Sequence, residues 1–263
     1  MIEIRKLIKS FGNVEAVRGL DLTIDKGVLF GFLGPNGAGK TTTIRMMIGL
    51  LRPDAGTITI GGHDVEADSI AVRRIVGYIP DRPYLYPKLT GRETLAFIGE
   101  LYSIPPAEVP DRIDQLLDYF ELTHRADSLV EGYSHGMKQR LVFAAALLHR
   151  PRILIVDEPM VGLDPRYAKQ IKVLLRSLCQ RGMTVFMSTH TLEVAEEMCD
   201  RIGIINEGEL VAEGTLGELT AAAGEEGGRL EQIFLKLTGG HGIRDIIDWP
   251  EGDEGNGCRD DLS

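Results

Sequence analysis

An eight-residue loop constrains the fold class of this chain more than any other segment. The segment Gly34-Pro35-Asn36-Gly37-Ala38-Gly39-Lys40-Thr41 matches the pattern G-x-x-x-x-G-K-[ST] without a mismatch. An apolar run from Val28 to Leu33 precedes it, and apolar side chains recur at helical spacing between Thr41 and Leu51. In this order of strand, loop and helix, the pattern binds phosphate. The loop therefore predicts an α/β fold with a phosphate site at a helix N-terminus.

The residue types of the loop fit that chemistry. Glycines let backbone amides approach phosphate oxygens, which a Cβ would hold away. Lys40 is expected to reach the β- and γ-phosphates, and the Thr41 hydroxyl to ligate Mg²⁺. The alternative is a glycine-rich turn with an unrelated lysine. We predict that the nucleotide is contacted by Gly34, Pro35, Asn36, Gly37, Ala38, Gly39, Lys40, Thr41 and Thr42.

Two carboxylates follow another buried strand. The apolar residues Ile153 to Val156 lead into Asp157-Glu158-Pro159. Ligands of open α/β sheets lie beyond the carboxyl ends of the strands, where this pair falls. Asp157 can hold Mg²⁺ as a hard oxygen ligand, and Glu158 can polarise the water that attacks the γ-phosphate. Alone, an Asp-Glu pair after a strand is usually a solvated turn; beside a phosphate loop it indicates a hydrolytic site.

Composition limits the remaining function classes. With 29 basic and 39 acidic residues the formal net charge is −10, which argues against non-specific binding of nucleic acid. Three cysteines without metal or disulfide spacing indicate a reducing compartment. No stretch approaches the roughly 20 apolar residues that span a bilayer. We therefore expect a cytoplasmic chain whose membrane role, if any, depends on a partner.

A third segment gives the chain a family resemblance. Tyr133-Ser134-His135-Gly136-Met137-Lys138-Gln139-Arg140 begins a predicted helix, and Ser134 stands 23 residues before Asp157. Together with the two phosphate motifs, it resembles the signature of the ATP-binding subunits of ABC transporters, over roughly residues 1–220. A helix opening at Ser134 would offer free N–H groups to an anion. The alternative is that Ser134 only caps the helix.

The resemblance implies a fold and an assembly. The fold is an α/β P-loop ATPase with a mixed or parallel core sheet, an N-terminal antiparallel β subdomain and an inserted helical subdomain at about 88–150. Residues 221–263 form a C-terminal extension that ends in an acidic tail, predicted to be disordered. ATP is sandwiched between two chains, either two copies or one copy with a paralogous subunit. Residues Ser134, His135 and Gly136 contact the γ-phosphate held by the other chain, although His135 stands where a glycine is common.

Further positions take roles from the resemblance. Gly162-Leu163-Asp164 resembles the loop that communicates across the dimer, and His190 resembles the histidine that contacts the γ-phosphate; a lone histidine is otherwise more often structural. Phe11 resembles the aromatic residue that stacks on adenine, with a core phenylalanine as the alternative. The family usually places Gln where this chain has Asp81. The resemblance gives Asp81 the metal-sensing role of that Gln and a place beside Mg²⁺, but an ionised Asp could not donate a hydrogen bond to the attacking water as Gln can.

The implied function is ATP-driven transport. We expect a subunit that binds and hydrolyses ATP and drives export through a separate integral-membrane permease. Glu158, His190 and Lys40 are the residues expected to catalyse the hydrolysis. Such a subunit lies on the inner face of the cell membrane and needs no nucleic acid. The aromatic segment Arg82 to Pro87 suits permease docking, or alternatively packs its own rings. Two other functions stay open: a soluble ABC-type ATPase acting on nucleic acid or ribosomes, and a regulator that binds nucleotide without turnover.

Overall fold

Two β-sheets organise the chain. The computed structural model describes residues 1–160, 163–222 and 230–238. Within these residues one sheet has six strands and the other has four. The strands are β1 Ile2–Phe11, β2 Val14–Ile24, β3 Leu29–Leu33, β4 Ala55–Ile60, β5 His63–Asp64, β6 Val76–Ile79, β7 Ile153–Asp157, β8 Thr184–Thr189, β9 Arg201–Asn206 and β10 Glu209–Gly214.

The six-stranded sheet carries the phosphate loop. Its order is β10-β9-β3-β8-β7-β6, parallel except for β10, which pairs antiparallel with β9. Every residue of β3, β7 and β8 is buried, as expected of strands covered on both faces. Since β3, β8 and β7 are parallel neighbours, their carboxyl ends meet at one edge. The loops that follow Leu33, Asp157 and Thr189 therefore share that edge.

The four-stranded sheet is antiparallel, in the order β2-β1-β4-β5. Strand β1 is central, with Ile2 opposite Ile24 on one side and Ile60 on the other. Its buried isoleucines share an apolar cluster with Phe30 and Phe32 of β3. This packing holds β2 against the phosphate loop.

Nine helices cover the sheets within the described residues. They are α1 Lys40–Met47, α2 Ser69–Ile75, α3 Gly91–Leu101, α4 Val109–Tyr119, α5 His135–Leu148, α6 Pro165–Gln180, α7 Leu192–Met198, α8 Leu216–Ala222 and α9 Leu230–Thr238. Helices α3, α4 and α5 pack on one another between β6 and β7, within an apolar cluster that continues to α6. None of the helices described is long and apolar enough to cross a bilayer.

The predicted fold class is confirmed: a mixed sheet, an antiparallel sheet and a helical insertion are all present. Helix α2 was not predicted, because only Val72 of its seven residues is buried and no apolar stripe marks it. The domain boundaries stay a prediction. Helix α8 runs across residue 220, and Leu230 and Ile233 of α9 pack with Leu33 and Ile204 of the sheet. The tail predicted to be disordered lies outside the described residues.

Candidate functional site

The phosphate loop lies between β3 and α1, pressed against strand β2. Gly39 precedes the helix with φ +105°, and a Cβ there would lie 2.4 Å from the carbonyl oxygen of Ala16. Both the dihedral angle and this close approach require glycine. The backbone is thus fixed with its amides at the open N-terminus of α1, where an anion binds favourably.

Lys40 extends back along the loop and is almost completely buried. Its Nζ donates to the carbonyl oxygens of Gly34, at 2.6 Å, and Pro35, at 3.1 Å. It also lies 3.6 Å from Oε1 of Glu158. Burial lowers the pKa of Lys40, and the Glu158 carboxylate opposes that shift. The loop therefore holds an ammonium group at its mouth, where phosphate oxygens can replace the loop carbonyls as acceptors.

Asp157 ends strand β7 and is only 2% exposed. The Ser188 hydroxyl donates to its Oδ1 at 2.5 Å, and the Thr41 hydroxyl donates to its Oδ2 at 3.2 Å. Burial raises the pKa of Asp157, and these two hydrogen bonds oppose that shift. The carboxylate and the Thr41 hydroxyl together form a pair of hard oxygen donors beside the loop.

Glu158 is held in an uncommon backbone conformation. Its φ is +50°, left-handed for a residue that is not glycine. Its N–H donates to the carbonyl and hydroxyl oxygens of Ser188, both at 3.2 Å. Its Oε1 lies 3.0 Å from Nδ1 of His190. The backbone N–H of His190 donates to its Oε2 at 3.4 Å. Such strain is found at sites where surrounding contacts fix a side chain for function. The structure thus places both Lys40 and His190 against Glu158, and a catalytic role for the three stays a prediction.

A cleft of about 220 Å³ opens beside the phosphate loop, and Asp81 is one of its lining residues. We call it the phosphate cleft. Of the loop residues predicted to contact nucleotide, Gly34 and Ala38 do not line it, and the others do: Pro35, Asn36, Gly37, Gly39, Lys40, Thr41 and Thr42. Asp81 and Glu158 are its acidic lining residues and Lys40 is the basic one. With Asp157 behind them, carboxylates outnumber the cation. A free triphosphate would be repelled by this charge, whereas a triphosphate that carries a divalent cation would not.

The signature residues lie in a second cleft, with a volume of about 430 Å³. Ser134 caps helix α5 and accepts a hydrogen bond from the N–H of Met137 at 3.3 Å. Asp164 caps α6 in the same way, accepting from Tyr167 at 3.0 Å. Ser134, Gly136 and Asp164 line this cleft, and none of its lining residues lines the phosphate cleft. Both helix starts therefore face a space that is separate, within one chain, from the phosphate loop.

Other predicted residues lie outside both clefts. Phe11 is 51% exposed at the β1–β2 turn, with Nζ of Lys9 5.6 Å from its ring centroid. This exposure contradicts the alternative of a core phenylalanine. His135 is exposed in the first turn of α5. Gly162 lies outside the described residues. The aromatic segment exposes Tyr84 and Tyr86, and the ring of Tyr86 packs edge-on against Phe97, with centroids 5.6 Å apart.

Sequence reasoning missed three contributors to the clefts. Ser188 binds both Asp157 and the backbone of Glu158; the signal for it was a polar residue at the end of an otherwise apolar strand. Arg140 and Tyr167 line the second cleft, with the guanidinium 5.6 Å from the ring centroid. Nothing in the sequence indicated that pair, because 27 residues separate its members.

Comparison with known proteins is consistent with this geometry. Residues 17–161 match the sequence profile of a family described as ABC transporter. The linearmycin resistance ATP-binding protein LnrL of Bacillus subtilis is 41% identical over 85% of this chain and 72% of its own length. The daunorubicin/doxorubicin resistance ATP-binding protein DrrA of Streptomyces peucetius is 42% identical over 85% and 68%. The Nod factor export ATP-binding protein I of Paraburkholderia xenovorans is 42% identical over 84% and 73%.

Solved structures share the fold. One, described as the ATP-binding subunit of an ABC transporter, superposes with a TM-score of 0.85 at 33% identity, over 90% of this chain and 99% of that one. A second is a dimeric ATP-binding cassette in a post-hydrolysis state with ADP and Pi. Its TM-score is 0.75 at 26% identity, over 82% of this chain and 99% of that one.

Proposed function

Because the chain belongs to the ABC transporter family of ATP-binding proteins, we propose that it is the ATPase subunit of an exporter whose permease is a separate chain. That it is an ABC-type ATPase follows from the family. Export is supported by relatives named for drug resistance and for Nod factor export. The same names favour export over a soluble ATPase acting on nucleic acid or ribosomes. An intact Glu158 favours turnover over a purely regulatory role.

One observation carries the hydrolytic assignment. Lys40 and the consecutive pair Asp157-Glu158 come from two segments far apart in the sequence and meet at the carboxyl edge of parallel strands, around the start of α1. We assign to Lys40 the binding of the β- and γ-phosphates. Glu158 accepts the proton of the attacking water, and His190 holds the carboxylate through the 3.0 Å contact described above. Only the positioning of these groups and their charge is needed, because phosphoryl transfer demands little covalent chemistry from the protein.

The donors beside the loop fit Mg²⁺. No group of three His, Cys, Asp or Glu side chains in the described part of the chain could hold a metal by itself. Thr41 and Asp157 supply hard oxygens 3.2 Å apart, and Asp81 adds a carboxylate to the rim. Mg²⁺ is usually held by one or two protein oxygens together with substrate phosphates. We therefore assign Thr41 and Asp157 as its holders and Asp81 as the residue that senses it. When bound, the ion neutralises phosphate charge.

Pairing of two chains completes the site in this proposal. The N-terminus of α5, with Ser134 and Gly136, faces a cleft that the phosphate loop of the same chain does not reach. A second chain, facing head to tail, would bring that helix start to the γ-phosphate. Both nucleotides would then act as joints, since charge-assisted hydrogen bonds cross from one chain to the other. Loss of the γ-phosphate would remove those bonds and loosen the pair.

The test is an ATP-dependent change of size. Glu158→Gln keeps the side-chain volume but removes the proton acceptor, so the variant should retain ATP and accumulate a dimer. Light scattering after size exclusion is expected to give twice the monomer mass with ATP and the monomer mass with ADP. The matched control is Lys40→Ala with Glu158→Gln, which should remain monomeric in both. A Glu158→Gln chain that stays monomeric with saturating ATP contradicts the pairing.

The permease contact is assigned to the exposed aromatic segment. Tyr84 is 83% exposed, and Tyr86 extends the patch to Phe97 of helix α3. Aromatic side chains are enriched at protein interfaces, and this patch lies directly after Asp81 of the phosphate cleft. A permease bound there would respond to the nucleotide state. The chain would then lie on the inner face of the cell membrane through that contact alone.

A further inference from the structure

A cationic groove runs along the side of the six-stranded sheet where β7 and β8 begin, opposite the phosphate loop. It consists of two adjoining cavities of about 400 Å³ and about 840 Å³, which share Pro151, Leu178, Arg181 and Met183. One lies between α4, the end of α5 and α6. The other lies below the starts of β7 and β8. This cationic groove therefore spans the junction between the helical insertion and the rest of the ATPase.

Its floor is apolar and its rim carries positive charge. Leu116, Leu147 and Leu174 contribute to the floor, and each packs with the core cluster of the insertion. The basic residues that line it are Lys26, Arg112, Arg150, Arg152 and Arg181, and no acidic residue is among the lining residues. This local excess of positive charge contrasts with the net charge of −10 of the whole chain.

Most of these cations have no ion-pair partner within the part of the chain that the structure describes. Arg112 pairs with Glu108. None of the ion pairs among the described residues involves Lys26, Arg150, Arg152 or Arg181. The four side chains are exposed. A groove of this kind suits a ligand with apolar groups and several carboxylates.

The chain itself contains such a segment. After Thr238 the sequence continues for 25 residues, with seven acidic and two basic residues. Within them, Ile246, Ile247 and Trp249 stand among acidic residues in the run Asp245-Ile246-Ile247-Asp248-Trp249-Pro250-Glu251. We propose that this run, residues 245–251, binds in the cationic groove of its own chain and ties the helical insertion to α6.

The distance allows the segment to reach the groove. Helix α9 packs on α7, and α7 is joined to α6 by the contact of Glu197 with Lys172. Helix α6 lines the groove with Leu174 and Leu178, and Arg181 follows it, so the path crosses two helix spacings of about 8–10 Å each and runs at most about 14 Å along α6 from Lys172. The eleven residues from 239 to Trp249 extend to roughly 36 Å, at about 3.3 Å per residue. The chain is therefore long enough to place Trp249 over the apolar floor.

Trp249 is the chain's only tryptophan and reports directly on this binding. In the full-length chain, its emission should be blue-shifted and protected from acrylamide at low salt. Charge reversal by Arg152→Glu with Arg181→Glu should lower the binding equilibrium constant about tenfold, because two weak exposed ion pairs become repulsive. The emission should then move to the red, and quenching should increase. High salt should have the same effect on the parent chain.

Matched variants separate binding from general charge effects. Arg125→Glu with Lys169→Glu changes the net charge equally at exposed positions outside the groove and should leave the fluorescence unchanged. Adding Asp248→Lys and Glu251→Lys to the Arg152/Arg181 variant should restore the protection. Far-UV circular dichroism checks that each variant folds. Trp249 emission that is solvent-like in the parent, or insensitive to the groove reversals, overturns the proposal. So does protection that rises with protein concentration, which would place the segment in a second copy.

Discussion

At the scale of single residues, the phosphate cleft depends on one lysine. Lys40 is the basic side chain that lines the cleft among the described residues, and its three close neighbours are oxygen atoms. The loop carbonyls hold it in place before nucleotide binds, so little side-chain entropy remains to be lost on binding. Under the proposed function, this preorganisation favours the binding of phosphate by Lys40.

Removing that ammonium group should therefore weaken nucleotide binding more than folding. A hydrogen bond to a charged group contributes about 1.5–3 kcal/mol, so Lys40→Ala should lose at least about tenfold in ATP affinity. Isothermal titration with ATP and Mg²⁺ measures the change, with Lys26→Ala as a control at an exposed turn. Unchanged affinity in Lys40→Ala would mean that the loop does not hold the triphosphate.

The buried carboxylate of Asp157 should lower the free energy of unfolding of the nucleotide-free chain. Burial raises its pKa, so the folded, nucleotide-free chain holds the proton more tightly than the unfolded chain does. The cost of the buried charge is absent well below the ordinary Asp pKa of about 3.9 and grows as pH rises through it. Asp157→Asn should therefore raise the free energy of unfolding at neutral pH, with little change in acid, while ATP hydrolysis falls. Urea unfolding at neutral pH and in acid measures the stability, and a phosphate-release assay measures the ATP hydrolysis. A variant less stable than the parent at neutral pH would contradict it.

The sequence revealed the individual site residues better than their contacts. The phosphate loop and the Asp157-Glu158 pair were predicted because each has a fixed local pattern next to an apolar strand. Ser188 was missed, since its role comes from lying beside Asp157 on the neighbouring strand, and register between strands is not written in either one. The left-handed conformation of Glu158 was equally invisible.

At the scale of secondary-structure elements, helix α5 raises a question that sequence alone left open. Ser134 caps the helix, which is a structural role. It also lines the second cleft, where it could bind a ligand. The two roles respond differently to charge. An aspartate at this position caps a helix as well as serine does, but it places a carboxylate where the partner's γ-phosphate would bind.

Ser134→Asp should therefore keep the stability of the chain and abolish the ATP-dependent dimer. Ser134→Ala serves as the comparison, with a stability loss of about 1 kcal/mol from the missing cap. Thermal unfolding gives the stability, and light scattering in the Glu158→Gln background gives the dimer. If Ser134→Asp still formed the dimer with ATP, Ser134 would be a cap and nothing more.

Element boundaries show where the sequence pattern is weak. Strands β3, β7 and β8 were predicted because each contains a short, mostly apolar run, at 28–33, 153–156 and 184–187. Helix α2 was missed because a single buried residue leaves no periodicity to detect. Helix α9 packs through Leu230 and Ile233 against strands far away in the sequence, so its burial depends on tertiary structure.

At the scale of the whole molecule, the proposed permease contact predicts that the exposed aromatic patch can be altered without loss of ATP hydrolysis. Tyr84→Ser with Tyr86→Ser should release the chain from washed membranes of its source cells and leave its ATP hydrolysis in solution unchanged, because neither ring lines the phosphate cleft. Tyr119→Ser, at an exposed ring elsewhere on the helical insertion, is the control. Membrane retention by the double variant would assign the permease contact to another surface.

The separation of the two clefts has a genetic consequence. Under the proposed pairing, each ATP contacts the phosphate loop of one chain and the N-terminus of α5 of the other. A single chain therefore contains only part of each site. A cell that produces both normal and loop-defective copies would assemble mixed pairs, and every mixed pair would have lost one of its two joints. A loop-defective allele whose product still folds and pairs would then behave as dominant, because that product forms defective pairs with normal subunits.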